Sequence, residues 1–220
     1  MNPHFNKKPD IIIVDDHLIF RQGLKSILAL HNIANVIGEA SNGSEFIRLL
    51  SDLKPDLVLM DIDMPTMNGI DATENAMILM PELKIIAFTM FSEEEYYYKM
   101  IDRGVKGFIL KTYGINELQN AINKVMSGES YFSNELLMRI IKNFGQLNKI
   151  IPFKHDKLTP REIDVLQQIC LGLSTDEIAE KLFISPRTVK SHKSNLLEKT
   201  VCKNTPSLIL YARKNKIVEF

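Results

Sequence analysis

The chain has 220 residues, 45% of them hydrophobic and 25% charged, with 27 basic and 27 acidic side chains. That length suits two domains, and that composition excludes a disordered chain. No apolar run approaches the roughly 20 residues of a membrane span, and Met1–Asp10 lacks the apolar core of a signal peptide. The protein is therefore expected to be soluble and cytoplasmic, with no membrane partner. The zero net charge conceals a division: up to Phe153 there are 15 Lys and Arg against 19 Asp and Glu, and beyond it 12 against 8. An acidic first part and a basic second part predict separate roles, the second facing a polyanion. Cys170 and Cys202 lack metal-ligand spacing and read as buried or idle thiols.

Up to about residue 127, short apolar runs alternate with segments of helical period. The runs are Ile11–Val14, Val36–Ile37, Leu57–Met60, Ile85–Phe88 and Gly107–Leu110. Between them, Leu18, Leu24, Ile27 and Leu28, then Phe46, Ile47 and Leu50, recur at helical spacing. Strands that are apolar throughout are covered on both faces, which predicts a parallel sheet with helices on either side. The expected fold class is α/β, a doubly wound (βα)5 domain followed by a smaller all-α domain. The expected boundaries are 9–127 for the first domain, 128–156 for a linker with a possible helix at Leu136–Ile141, and 157–220 for the second.

In such a sheet the ligand site lies at the carboxyl ends of the strands. The first run ends in Asp15-Asp16, the third in Asp61, the fourth in Thr89 and the fifth in Lys111. Two carboxylates about 4 Å apart repel by about 4 kcal/mol at an effective dielectric of about 20, so three ionised ones call for a cation. Hard oxygen donors on an open rim suit Mg²⁺. With a cation present, an aspartate can attack phosphorus while a lysine and a hydroxyl take the phosphoryl oxygens. Asp61 at the tip of "LVLMDIDMP" is the candidate acceptor.

These stretches, "IIIVDDHLIFRQGL", "PDLVLMDIDMPTMNGID", "IIAFTMF" and "GVKGFILK", resemble a response-regulator receiver domain over Pro9 to about Ser127. The resemblance implies Asp61 as phosphoacceptor, Asp16 and Asp61 as direct Mg²⁺ ligands, and Asp15 acting through metal-bound water. It also implies the backbone carbonyl of Asp63 on the metal, Thr89 and Lys111 on the phosphoryl oxygens, and Thr89 with Phe108 as the switch pair.

The second domain announces its helices by their caps. Thr159-Pro160 with Glu162, and Ser174 with Glu177, are capping boxes; Ser185-Pro186 and Thr205-Pro206 are cap-plus-proline pairs. The segment "STDEIAEKLFISPRTVKSHKSNLLEK" reads as two helices joined by a short turn near Phe183–Ser185, the plan of a helix-turn-helix. On its second helix Val189, Leu196 and Leu197 share a packing face, while Arg187, Lys190, Ser191 and Ser194 share the other. From Leu158 to about Val218 the sequence closely resembles the LuxR-type helix-turn-helix of the NarL/FixJ group of regulators. The resemblance implies Lys190, Ser191 and Ser194 at base-reading positions, Thr188, His192 and Lys193 nearer phosphate, and a last helix over Thr205–Lys216 that pairs two such domains.

The whole reads as a two-component response regulator rather than an enzyme. Its expected partners are a sensor histidine kinase, double-stranded DNA, the transcription machinery and, when phosphorylated, a second copy of itself. The competing enzyme reading takes Asp61-x-Asp63 as the pair of a haloacid-dehalogenase-type phosphatase, against which stands Pro65, where that family has Thr or Val.

Overall fold

The structure is a computed structural model that describes residues 8–90, 94–133, 158–215 and 217–218, with the backbone alone at 94 and 95. The possible helix at Leu136–Ile141 and most of the expected linker lie outside the described residues. The chain divides into two compact units, Met1–Tyr131 and Phe132–Phe220.

The first unit runs β1 (Asp10–Val14), α1 (Leu18–Leu30), β2 (Asn35–Ala40), α2 (Gly43–Leu49), β3 (Leu57–Met60), α3 (Gly69–Leu79), β4 (Lys84–Thr89), α4 (Glu94–Arg103), β5 (Gly107–Leu110) and α5 (Ile115–Met126). The five strands form one parallel sheet in the order β2-β1-β3-β4-β5. Because side chains alternate along a strand, Ile11, Ile13, Leu57, Leu59, Ile86, Phe88 and Ile109 face one way. They form a core with Leu24 and Leu28 of α1 and Leu118, Ala121, Ile122 and Val125 of α5. Ile12, Val58 and Ile85, all fully buried, point to the opposite face.

Three elements differ from the sequence-based expectation. Strand β2 extends from Asn35 to Ala40 and is only half-buried, because it lies at the sheet edge with polar Glu39 turned toward Lys25. In α1 only Leu24 and Leu28 are buried, whereas Leu18 and Ile27 are exposed. Helical period marks a face but does not by itself bury it. After α5 the chain returns to the open edge of β5, where Tyr131 accepts from the Phe108 amide at 2.9 Å and donates to Lys106 O at 2.8 Å. Its ring belongs to the core, so the packed unit continues past Ser127.

The second unit contains α6 (Pro160–Cys170), α7 (Thr175–Leu182), α8 (Pro186–Thr200) and α9 (Thr205–Lys214), with no strand among its described residues. Thr159 and Ser174 cap α6 and α7 in complete capping boxes, and Ser185 caps α8. The cap of α9 is Asn204 rather than Thr205: its side-chain oxygen accepts from the Ser207 amide at 3.0 Å and the Ser207 hydroxyl at 2.7 Å. An asparagine one position earlier reaches the orphan amide better than the threonine does. Cys170 and Cys202 are free and buried in the helical core, and burial pushes their thiols up to about 12 and about 11.

Two consecutive residues of α6 hold the helix-turn-helix. The Arg161 guanidinium donates to Leu182 O, the last carbonyl of α7, at 2.5 Å. The buried Glu162 accepts from the Thr159 amide at 2.7 Å, from its hydroxyl at 2.9 Å and from Lys199 Nζ, near the end of α8, at 2.8 Å. Burial would raise the Glu162 carboxyl, but the hydrogen bonds from Lys199 and Thr159 outweigh it and hold the group below the usual carboxylate range.

Glu162→Ala strips α6 of its box and leaves Lys199 unpaired, and should cost the protein about 3 kcal/mol of unfolding free energy. Since the folded carboxyl is depressed, its contribution is complete above the ordinary carboxylate pKa and is lost as pH falls through the folded value. Chemical denaturation followed by circular dichroism should therefore show wild type and Glu162→Ala converging in acid.

Candidate functional site: a carboxylate and lysine cluster at the strand tips

The sheet register decides which side chains meet. Val14 pairs with Met60, Met60 with Ala87, and Thr89 with Leu110. Asp15, Asp61 and Lys111 each follow a strand by one residue, and Thr89 ends β4. The main chain fastens these tips directly: Asp61 N donates to Val14 O at 2.8 Å, and Lys111 N to Thr89 O at 2.8 Å. Asp15, Asp61 and Thr89 are buried, while the Asp16 side chain keeps 30% exposure.

Lys111 Nζ lies 2.6 Å from Asp15 Oδ2 and 2.5 Å from Asp61 Oδ2. Its ammonium is also 4.6 Å from the centre of the Phe20 ring, which itself packs on Phe88. Asp61 Oδ1 accepts from the Ile62 amide at 2.8 Å. Burial pushes the Asp61 carboxyl above its ordinary range and the Asp15 charge pushes the same way, against the opposing hydrogen bond and charge of Lys111 and the Ile62 amide.

Donor atoms of Asp15, Asp16, His17 and Asp61 all lie within 4.8 Å of one another. Three carboxylates and one ammonium leave two negative charges, the complement of a divalent cation. Asp16 Oδ1 is buried without a hydrogen-bond partner, and His17 Nδ1 stands 2.8 Å from it. An orphaned carboxylate oxygen beside two others fits a metal ligand. The Asp63 side chain is exposed and is not among the converging donors.

Three contributors escaped sequence reasoning. His17 joins the cluster through its ring, and its amide donates to Asp15 Oδ1 at 2.9 Å. Arg21 of α1 reaches back to donate to the Asp15 carbonyl. Gly69, the first residue of α3, packs against Asp61 itself: a Cβ there would fall 1.9 Å from the Asp61 carbonyl oxygen. The Asp-His pair was available as a sequence signal, whereas the Gly69 approach has none.

Phe108 is buried and meets the buried ring of Tyr97 edge-on, with centroids 4.3 Å apart. In this conformation the aromatic side chain already lies inside the domain.

In the helical unit Val189 and Leu196 are buried. Arg187, Lys190, Ser191 and Ser194 are exposed, and Thr188, His192 and Lys193 are half-buried. The Thr188 hydroxyl lies 2.8 Å from that of Ser185 within the cap. Helix α9 is buried from Pro206 to Ala212. Among the described residues no helix is long and apolar enough to cross a membrane.

Residues 11–123 match the family model of the response regulator receiver domain, and residues 156–212 that of bacterial regulatory proteins of the luxR family. The chain belongs to the LuxR-family response regulators. The regulator is 38% identical over 217 residues to the oxygen regulatory protein NreC of Staphylococcus aureus, covering 96% of this chain and 99% of that one. It is also similar to solved structures of RcsB. One is RcsB of Salmonella enterica serovar Typhimurium bound to the promoter rprA with the phosphomimetic BeF3⁻ (26% identity, TM-score 0.55, covering 93% and 98% of the two chains). Another shows two RcsB dimers bound to two parallel DNAs (26% identity, TM-score 0.56, 94% and 98%).

A divalent cation held by these carboxylates would compete with protons for the same oxygens, so its affinity should fall as pH drops through the raised Asp61 value, at higher pH than an ordinary carboxylate near 4 would dictate. Calorimetric titration with Mg²⁺ in neutral and mildly acidic buffers checks this. Without metal, the same shift should make the folded chain gain stability as pH falls across that window.

Proposed function

We propose that this DNA-binding response regulator accepts a phosphoryl group on Asp61 from a sensor histidine kinase, and that the modification changes dimerisation and DNA binding to control transcription. The observation that carries the proposal is the buried Asp61 carboxylate at 2.5 Å from Lys111 on the tip of β3. A carboxylate oxygen attacks phosphorus, the bond from phosphorus to the donor imidazole breaks, and an aspartyl phosphate remains. Lys111, 2.5 Å from Asp61, would pair with the incoming oxygens, and Thr89, at the neighbouring tip, would bond them through its hydroxyl. Asp15, Asp16 and Asp61, with the backbone carbonyl of Asp63, would hold Mg²⁺, which when bound neutralises phosphoryl charge. Asp63 as a phosphatase's general acid finds no support in its exposed position.

The new charge of about −1.5 to −2 draws Thr89 and Lys111 toward it. Phe108 pairs across the sheet with Ala87, two residues before Thr89 on the same face, so the Thr89 and Phe108 pair is the proposed relay to the surface of α4 and β5. The division of labour follows the two expected domains, 9–127 for phosphoacceptance and 157–220 for DNA. In the second, Arg187, Lys190, Ser191 and Ser194 face the major groove, with Thr188 and Lys193 at its phosphate edge. Helix α9, buried from Pro206 to Ala212 in this conformation, would have to be uncovered to act as the pairing element of a phosphorylated homodimer. Such a regulator works in the cytoplasm, where kinase domain, DNA and transcription machinery are all within reach.

Incubation with acetyl phosphate and Mg²⁺ should add one phosphoryl group to the wild-type mass and none to Asp61→Asn; an adduct on the variant overturns the assignment. On a duplex selected from a random pool by the wild-type protein, Lys190→Ala should bind about tenfold more weakly and with relaxed sequence preference. Mobility-shift titration against selected and scrambled duplexes measures both.

A further inference from the structure

Phe183 is the most exposed large apolar side chain among the described residues, at 95%. It is also held in the left-handed region, φ 55° and ψ 45°, where a bulky residue is disfavoured. The chain solves the same problem with glycine elsewhere: Gly104, Gly128 and Gly172 take positive φ after α4, α5 and α6. The turn itself needs no ring. Its backbone bonds run from Phe183 N to Glu180 O and from Ile184 N to Ala179 O, and packing is supplied by the flanking Leu182 and Ile184. The benzyl group therefore serves neither the turn nor the core.

Its place supplies a use. Phe183 lies two residues before Ser185, the cap of α8, so its Cα stands within about 7 Å of that cap. In a helix-turn-helix the N-terminal residues of the second helix enter the groove. Along the chain exposed cations lie on either side of Phe183, Lys181 before and Arg187 after, followed by Lys190. A neutral apolar face between cations matches a strip of DNA edge. Phosphates accept from the charges, and between them lie deoxyribose and thymine methyl groups, which take apolar contacts.

We propose that Phe183 is a direct DNA contact of this regulator, its ring resting on the apolar edge of the groove that α8 enters. The proposal rests on the reading of α8 as the DNA-reading helix. A built-in control exists at the other end of α8. Val201 is also left-handed, φ 55°, and 73% exposed, but a helix of 15 residues places it roughly 22 Å from the entering end.

The test uses the full-length protein, treated with acetyl phosphate and Mg²⁺, and a fluorescent duplex selected from a random pool by the wild type. Phe183→Asn, whose side chain tolerates the left-handed region, should melt no lower than wild type yet bind about tenfold more weakly, with an unchanged salt dependence because no phosphate contact is lost. Phe183→Tyr should retain binding, and Val201→Asn should leave affinity unaltered. The proposal is overturned if Phe183→Asn binds like wild type while Lys190→Ala is weakened, an outcome that leaves the reading of α8 intact. It is overturned equally if Phe183→Asn unfolds more easily and binding falls only in proportion, or if DNA affinity holds while transcription in a purified system drops. Failure of the wild type to select any sequence overturns the reading of α8 and this inference together.

Discussion

The in-register pairing of the parallel sheet is the constraint on which the functional site depends. Val14, Met60 and Ala87 are aligned across β1, β3 and β4, and Thr89 is paired with Leu110 of β5. Carboxylates that would avoid one another in a flexible chain are therefore held at adjoining tips by buried strands. Lys111 offsets part of the repulsion by bridging Asp15 and Asp61, and its ammonium lies over the Phe20 ring. What remains is a cluster of three carboxylates and one ammonium, with the buried Asp16 Oδ1 lacking a hydrogen-bond partner. The apolar interior supplies the energy that keeps it assembled, and the residual charge supplies the affinity for a cation.

The helical unit solves a different problem. With four short helices and a small core, it relies on caps and on two polar ties that leave from one turn of α6. Arg161 holds the end of α7 and Glu162 holds the end of α8. Together they set the orientation of the helix whose exposed face carries Arg187, Lys190, Ser191 and Ser194. The residue between α7 and α8, Phe183, violates both the turn preference and the burial preference of its type. Local rules broken without benefit to packing are the pattern expected where a surface is shaped for a partner.

The architecture and much of the cluster were legible in the chain because a strand buried on both faces is apolar throughout and its polar successor marks the tip. Asp15, Asp61, Thr89 and Lys111 could be placed from that rule alone. Edge strand β2 was read too short because its half-buried pattern gives no continuous run, and Tyr131 was missed because a single bridge has no period. Leu18 and Ile27 show the opposite error, helical spacing on a face that the fold leaves uncovered. The cap of α9 moved by one residue because Asn204 and Thr205 both satisfy the rule and geometry chose between them.

Composition, strand-end chemistry and capping signals determined the two-domain plan, the (βα)5 and helical folds, and the residue types available for phosphoryl chemistry and DNA contact. These are local properties, set by side-chain periodicity and by what each residue does to its own backbone. Tertiary structure alone decided that Gly69 packs against Asp61, that Lys111 bridges two carboxylates, and that Glu162 reaches Lys199. The last two depend on distances between segments 50 and 37 residues apart in the chain. Such distances are fixed by the packing of whole elements, whose summed burial outweighs the cost of bringing the charges together.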